Sequence, residues 1–312
     1  MSQMKGMRIG FVGLGNMGHP MVRRLAGAGH RILAYDTQPA ARDRLADAAG
    51  VTIAGCASEV ADGADAVILM LPDSDVVERV LLDGGLLERI ADAARPAVVV
   101  DMSSSVPART RALAARAADS SVLLVDAPVS GGVSGARAGS LTIMTGGPAE
   151  VLARVQPILR VLGAEIVHAG AIVGAGHAVK ALNNLMSATH LLASSEALLA
   201  GRAFGLDPAV MLDIVNASSG RSGSTQVKWP RYILPESYDS GFGLRLMLKD
   251  MRVALGLEEA AGIPAPLSAA AVEAWATAAD TLPPDADHTE IARWLERLTP
   301  TGELNQHAAG NR

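Results

Sequence analysis

Three observations in the 312-residue chain predict an α/β domain with a doubly wound parallel sheet, followed by an all-helical domain. Short apolar runs rich in Val, Ile and Leu alternate with helix-forming segments through the first half. These runs are continuous rather than polar/apolar alternating, as expected of strands covered on both faces. From Gly174 onward strand runs stop and long helical patterns take over. The expected partition is 7–168 for the α/β domain, 169–300 for the helical one, and 301–312 as a frayed polar tail.

The bulk numbers agree with this class. Hydrophobic residues make up 49% of the chain and aromatics only 3%, which suits helix-rich α/β architecture better than an all-β fold. The net charge of −5 is spread out without a basic run, so nucleic acid is not an expected partner. Cys56 is the only cysteine, which excludes an internal disulfide and fits a reducing cytoplasm. No signal-peptide core and no membrane-length apolar run is present. His168, His177, His190 and His288 are scattered without a metal-ligand rhythm, so no metal site is expected.

The first strand runs through Ile9, Phe11 and Val12. Gly13-Leu14-Gly15-Asn16-Met17-Gly18 follows with G-x-G-x-x-G spacing, and a helix continues from His19 with Pro20 in its first turn. Gly13 permits a tight turn, Gly15 lets the backbone approach a pyrophosphate, and Gly18 lets helix pack on strand. The second strand, His30-Arg31-Ile32-Leu33-Ala34-Tyr35, ends in Asp36, 18 residues after Gly18. A carboxylate there takes both hydroxyls of an adenosine ribose and repels a 2′-phosphate. With Thr37, Gln38 and Pro39 following and no Arg among them, this Rossmann-type fingerprint predicts NAD in preference to NADP.

A helix over 40–49, a strand over 51–54 and a turn at 59–63 capped by Ser58 come next. Strands at 66–71, 97–101, 122–126, 141–145 and 165–168 alternate with helices at 75–82, 86–94 and 107–118. Ligands gather at the carboxyl ends of such strands. Those ends carry Leu71-Pro72-Asp73, Asp101-Met102-Ser103-Ser104 and Asp126-Ala127-Pro128-Val129-Ser130-Gly131-Gly132. Ser130, Gly131 and Gly132 offer a hydroxyl and unhindered amides, a concavity suited to a carboxylate. Ser104 and Ser105 are both placed to cap the following helix.

The helical half opens with one long helix over 176–201, and others follow from Asp207-Pro208, over 246–261 and over 267–279. Lys180 sits among Ala178, Val179, Leu182, Leu185 and Met186, and Asn184 lies one turn on, sharing its face. A partly desolvated lysine exchanges a proton near neutral pH. A helix this apolar has to be covered, which predicts a homodimer or homotetramer. The active cleft is expected between the two domains.

Four stretches in order resemble the β-hydroxyacid dehydrogenase family. Gly13 to Gly18 resembles its cofactor fingerprint, and Asp126-Ala127-Pro128-Val129-Ser130-Gly131-Gly132 its substrate motif. Gly176-His177-Ala178-Val179-Lys180-Ala181-Leu182-Asn183-Asn184 is similar to its G-x-x-x-K-x-x-N-N helix, and Lys249-Asp250 with the residues after it to its K-D-x-x-L-A stretch.

The resemblance implies interconversion of a small 3-hydroxy acid and its 3-oxo acid or semialdehyde, as in 3-hydroxyisobutyrate dehydrogenases. Substrates of the tartronate semialdehyde, sulfolactaldehyde or threonate type are the alternatives. It implies Lys180 as acid/base, Asn184 orienting the alcohol with Asn183 turned to packing, and Ser130, Gly131 and Gly132 on the carboxylate. Leu14, Asn16, Met17, Leu71, Pro72, Ser104 and Lys249 fall on the cofactor side, and Phe242 and Asp250 on the substrate side with Arg245 near them. Ser104 stands where the family often has Thr. Imine reductases share the fold but usually carry Asp or Tyr at the position of Lys180. A non-catalytic nucleotide-binding protein is the remaining reading. Competing structural readings are a snorkelling Lys180, an ordinary turn at Gly131 and Gly132, a surface Lys249–Asp250 pair, and an Arg221 in solvent.

Overall fold

The computed structural model describes residues 6–298, and the chain divides into two compact units after Lys180. The first unit begins with β1 (Arg8–Val12), α1 (Gly18–Gly27), β2 (Arg31–Tyr35), α2 (Pro39–Asp43), β3 (Val51–Ile53), β4 (Ala66–Leu69), α3 (Ser74–Glu78) and α4 (Leu86–Ala91). It continues with β5 (Val98–Asp101), α5 (Pro107–Asp119), β6 (Leu124–Asp126), β7 (Val129–Ser130), α6 (Gly132–Ala138), β8 (Leu141–Gly146), α7 (Ala149–Leu162) and β9 (Gly163–Gly170). The strand order β3-β2-β1-β4-β5-β6 is parallel throughout and reverses direction between β1 and β4. That reversal is the topological switch point at which such sheets open a crevice.

Successive residues of the central strands feed two cores. Ile9, Phe11, Ile68, Val98 and Val100 pack with Met21 and Leu25 of α1 and Val155 and Leu159 of α7. Val12, Val67, Leu69 and Val99 pack on the other face with Val77, Leu87, Ile90 and Leu113 from α3, α4 and α5. Burial on both faces explains why these strands read as unbroken apolar runs.

The sheet is not wholly parallel. β8 runs antiparallel to both β6 and β7, and β9 then pairs parallel with β8. The link from β7 to β8 is shorter than the dozen or so residues that a parallel crossover needs, so the strand returns antiparallel. Helix α2 ends at Asp43, short of the expected 49. Beyond it Leu45 N–H and Ala46 N–H bond to the carbonyls three residues back, as in tight turns. The helices α6 and α7 were not expected from the sequence; α7 carries Pro157 in its interior. The N-cap of α5 is Val106, because Ser105 Oγ instead donates to Asp101 Oδ2 at 3.0 Å. Ser58 likewise caps nothing and faces Cys56 Sγ at 3.2 Å.

The long helix α8 (Ala175–Ala203) begins in the first unit and continues into the second, which adds α9 (Pro208–Asn216), α10 (Leu244–Ala260), α11 (Pro266–Thr281) and α12 (Ile291–Leu298). A π-helical segment, Ser224–Ile233, lies between α9 and α10. Leu185, Ala188 and Leu191 of α8 pack with Met251, Trp275, Ile291 and Trp294 into one apolar core. Among the described residues no helix is long and apolar enough to cross a membrane, and no group of three or more His, Cys, Asp or Glu is placed to hold a metal ion. The tail expected at 301–312 lies outside the described residues.

Candidate active site

The glycine loop is built as its spacing requires. Gly13 has φ +101°, and its N–H donates to Tyr35 O at 2.9 Å, tying the loop to the end of β2. A Cβ on Gly18 would lie 1.8 Å from Gly13 O and 3.1 Å from the Phe11 ring, so helix and strand meet only because that atom is missing. At Gly15 a Cβ would meet nothing within 4 Å: the space above this residue is open. The loop then enters α1, whose His19 N–H bonds back to Gly15 O at 3.0 Å.

Asp36, just after β2, holds the glycine loop in place. Its Oδ2 accepts Leu14 N–H at 2.7 Å and its Oδ1 accepts Gln38 N–H at 2.8 Å, so the carboxylate braces the glycine loop while keeping lone pairs for hydroxyl donors. Two arginines that the local sequence did not flag stand beside it. Arg42 donates to Asp36 O at 2.7 Å and lies 5.6 Å from the Tyr35 ring, and Arg44 donates to Leu14 O at 3.1 Å. They come six and eight residues after Asp36, on α2 and the turn beyond it, and the signal for them was their spacing along a short helix.

The loops after β4 and β5 are tied together. Leu71 N–H donates to Ser103 Oγ at 3.0 Å, and Ser103 N–H to Asp101 Oδ1 at 3.0 Å. Asp73 caps α3 through Val76 N–H at 3.0 Å. Leu71, Pro72 and Ser104 therefore sit on two loops at adjacent carboxyl ends of the sheet, joined through Ser103. Ser130 pairs with Thr142 across β7 and β8, and Gly131 and Gly132 have φ +122° and +62°. Both glycines adopt backbone conformations that L side chains resist, leaving an amide-lined turn at the start of α6.

Helix α8 carries Lys180 and, one turn on, Asn184, exposed 8% and 5% respectively. Asn184 Nδ2 donates to Asp250 Oδ2 at 2.7 Å, while Lys249 Nζ stands 3.4 Å from Asp250 Oδ1. Asp250 is 3% exposed, so this is a buried cluster rather than a solvated surface pair. Asn183 is exposed rather than packed, and donates to Asn184 Oδ1 at 3.2 Å. Of the apolar residues expected around Lys180, only Leu185 is buried; Val179, Leu182 and Met186 form an exposed stripe along the helix.

Phe242 sits edge-on to His288 at 5.7 Å between ring centroids. Arg245 is spent on the carbonyls of Ala279, Leu282 and Pro283, closing the C-terminal end of α11, which makes it structural. Arg221 is exposed.

One half-buried cation escaped the sequence reading. Lys228, in the π-helical segment, donates to Ser187 Oγ at 2.7 Å, and burial pushes its pKa down to about 8 despite the nearby Asp287. Burial lowers the pKa of His288. For Asp287, burial alone would raise the carboxyl, but hydrogen bonds with His288 and Thr289 hold it below the usual carboxylate range.

Residues 8–170 match the family model described as the NAD binding domain of 6-phosphogluconate dehydrogenase. Residues 174–295 match the one described as NAD-binding of NADP-dependent 3-hydroxyisobutyrate dehydrogenase. The chain is 42% identical over 271 residues to a 3-hydroxyisobutyrate dehydrogenase of Pseudomonas aeruginosa, covering 84% of this chain and 89% of that one. A 2-(hydroxymethyl)glutarate dehydrogenase of Eubacterium barkeri is 38% identical over 275 residues, 86% of this chain and 88% of its own. Among solved structures, a Mycobacterium tuberculosis 3-hydroxyisobutyrate dehydrogenase with L-serine is similar with a TM-score of 0.86 at 33% identity, covering 93% of this chain and 99% of that one.

Proposed function

The chain belongs to the β-hydroxyacid dehydrogenase family and is an NAD(P)-dependent 3-hydroxyacid dehydrogenase, and from that premise we propose that Lys180 is its acid/base and NAD its preferred cofactor. The observation that carries this reading is the burial of Lys180 and Asn184 one turn apart on α8, with the Asn184 amide held by Asp250. A snorkelling lysine would leave its ammonium in water.

The open space at Gly15 and the carboxylate of Asp36 fit a dinucleotide, with Leu14, Asn16, Met17, Leu71, Pro72, Ser104 and Lys249 completing its contacts. When bound, the nicotinamide supplies a hydride acceptor or donor at C4. Lys180 takes the proton of the substrate hydroxyl on oxidation and returns it to the carbonyl oxygen on reduction. Asn184 orients that oxygen, Ser130 with the amides of Gly131 and Gly132 holds the carboxylate, and Phe242 and Asp250 shape the remaining wall. A small 3-hydroxy acid of the 3-hydroxyisobutyrate type is the substrate class.

Asp36 supports NAD, since a 2′-phosphate beside it would meet a like charge. A second reading, use of NADP, draws support from Arg42 and Arg44, whose guanidiniums bond the backbone carbonyls of Asp36 and Leu14. Comparison of kcat/KM for the two cofactors decides between them. The lone, exposed Cys56 supports a reducing, cytoplasmic setting. The stripe Val179, Leu182 and Met186, exposed 43%, 37% and 59%, supports a homodimer or homotetramer, which light scattering of the wild type and M186E tests.

Lys180→Ala is the deciding experiment. Turnover of 3-hydroxyisobutyrate should fall about 10²–10⁴-fold while NADH binding is retained. Undiminished turnover in that variant would sink the mechanism.

A further inference from the structure

The carboxylate of Asp126 has no part in the roles assigned above, yet it is fully buried at the end of β6. Burying a carboxylate is costly unless strong donors meet it. Here both oxygens are met by backbone amides from the start of α8. Gly174 N–H donates to Oδ1 at 2.6 Å and His177 N–H to Oδ2 at 2.8 Å. A helix begins with amides that lack partners, and a residue at its own N-cap usually supplies the acceptor. For α8 the acceptor comes from a strand 48 and 51 residues upstream. The sheet, not the local loop, sets where this helix starts.

The surroundings leave the carboxylate no freedom. A Cβ on Gly146 would lie 2.3 Å from Oδ1, and one on Gly176 2.8 Å from Oδ2. A second tie runs through the His177 ring, exposed 1%. Thr110 Oγ1 stands 3.0 Å from His177 Nδ1 and 3.2 Å from Val106 O, in hydrogen-bond contact with both. The same ring stands 3.8 Å from Asp126 Oδ2 and, through Nε2, 3.9 Å from Asp101 Oδ2. Lys180 follows three residues later, on the turn that these contacts hold.

We propose that Asp126 is a positioning residue for the hydroxy-acid reaction: its carboxylate, with the braced His177 ring, anchors the first turn of α8 to the sheet and so sets where Lys180 presents its amine. This rests on the acid/base reading of Lys180. The charge has a second effect, because a carboxylate at a helix N-terminus favours the ammonium form of a lysine one turn along. Asp126→Asn keeps the shape and one acceptor oxygen but points an NH₂ group at one of the two amide donors.

The test compares wild type, D126N, T110V and K180A in the NAD-dependent oxidation of 3-hydroxyisobutyrate, with NADH binding followed by fluorescence. D126N should lose about tenfold to a hundredfold in kcat with NADH affinity unchanged. Its acidic limb of kcat should move to lower pH, and the isotope effect from substrate deuterated at C3 should rise as chemistry slows. A mere loss of folded molecules lowers the NADH stoichiometry and leaves limb and isotope effect where they were; that result overturns the proposal. Should D126N fail to fold, T110V decides: a several-fold loss of kcat with a raised isotope effect supports the anchor, and wild-type kcat overturns it. Activity surviving in K180A removes the reading of Lys180 itself. An inactive K180A beside a D126N of wild-type kcat removes only the role of Asp126.

Discussion

The side-chain amide of Asn184 donates to Asp250 Oδ2 at 2.7 Å, and the other oxygen of that carboxylate faces Lys249 Nζ at 3.4 Å. Residues 66 positions apart thus share one buried cluster, and the amide of Asn184 has only part of its hydrogen-bonding capacity left for a substrate. Asp250→Ala should leave the buried Asn184 amide donor without this acceptor, costing about 1–3 kcal/mol of stability and lowering kcat/KM for the hydroxy acid. Asp250→Asn can still present an oxygen to Asn184, so it should be the milder variant in both thermal melts and kinetics. Equal damage from the two would show that charge opposite Lys249, not orientation of Asn184, is what matters.

The three glycines of the loop should separate by experiment. Gly18→Ala places a methyl 1.8 Å from Gly13 O, and relieving that clash should cost about 1–3 kcal/mol or more, read as a lower melting temperature. Gly15→Ala meets nothing in the protein, so its stability should stay within about 0.5 kcal/mol of wild type. Its methyl instead fills the space a pyrophosphate would approach, and NADH affinity should drop about tenfold, or 1.4 kcal/mol. Calorimetry and NADH titration on both variants check the split.

Asp36→Ala should lower the NAD/NADP ratio of kcat/KM about tenfold, since one like charge opposite a 2′-phosphate at an effective dielectric near 20 is worth about 1–4 kcal/mol. Adding Arg42→Ala should move the ratio back toward NAD, because Arg42 sits at the Asp36 carbonyl. Asp36→Ala also removes the Leu14 N–H acceptor, so weaker binding of both cofactors should accompany it. A ratio unmoved by either substitution would mean that neither residue reads the ribose.

Lys228 gives a pH dependence whose sign follows from its pKa of about 8, held down by burial from an ordinary 10.5. At pH below 8 both folded and unfolded chains keep the proton, and the fold bears the full cost of a buried ammonium. Between about 8 and 10.5 the folded chain releases the proton first, and that cost fades as pH rises. A shift of this size corresponds to about 3 kcal/mol, reduced to the order of 2 because the side chain is only partly enclosed. Lys228→Met should therefore be more stable than wild type at neutral pH by up to that amount, with the gap closing toward pH 10. Urea denaturation of both proteins across this range checks it; a gap that widens with pH would reverse the argument.

Much was legible in the chain alone because it depends on local chemistry. The spacing of Gly13, Gly15 and Gly18, the apolar runs at β1, β4 and β5, and the pairing of Lys180 with Asn184 at helical spacing are all short-range patterns. So was the family membership, carried by motifs that survive as strings of residues. Backbone sterics and side-chain periodicity act over a few residues, and sequence displays them directly.

What only the tertiary structure decided involves partners far apart in sequence. Asp126 is the last residue of an apolar strand in the string, and becomes the anchor of α8 only when Gly174 and His177 arrive from 48 and 51 residues away. Arg42 and Arg44 reach Asp36 and Leu14 because α2 stops early and the chain turns back. Lys249 and Asp250 read in the string either as site residues or as a surface pair, and only the fold sets the Asp250 carboxylate, buried, against Asn184. The antiparallel return of β8 was hidden as well, since pairing direction is set by the length of the connection and by which edge is free, not by strand composition. Local propensity selects elements, whereas burial of charge and the satisfaction of its hydrogen bonds are settled only once those elements meet.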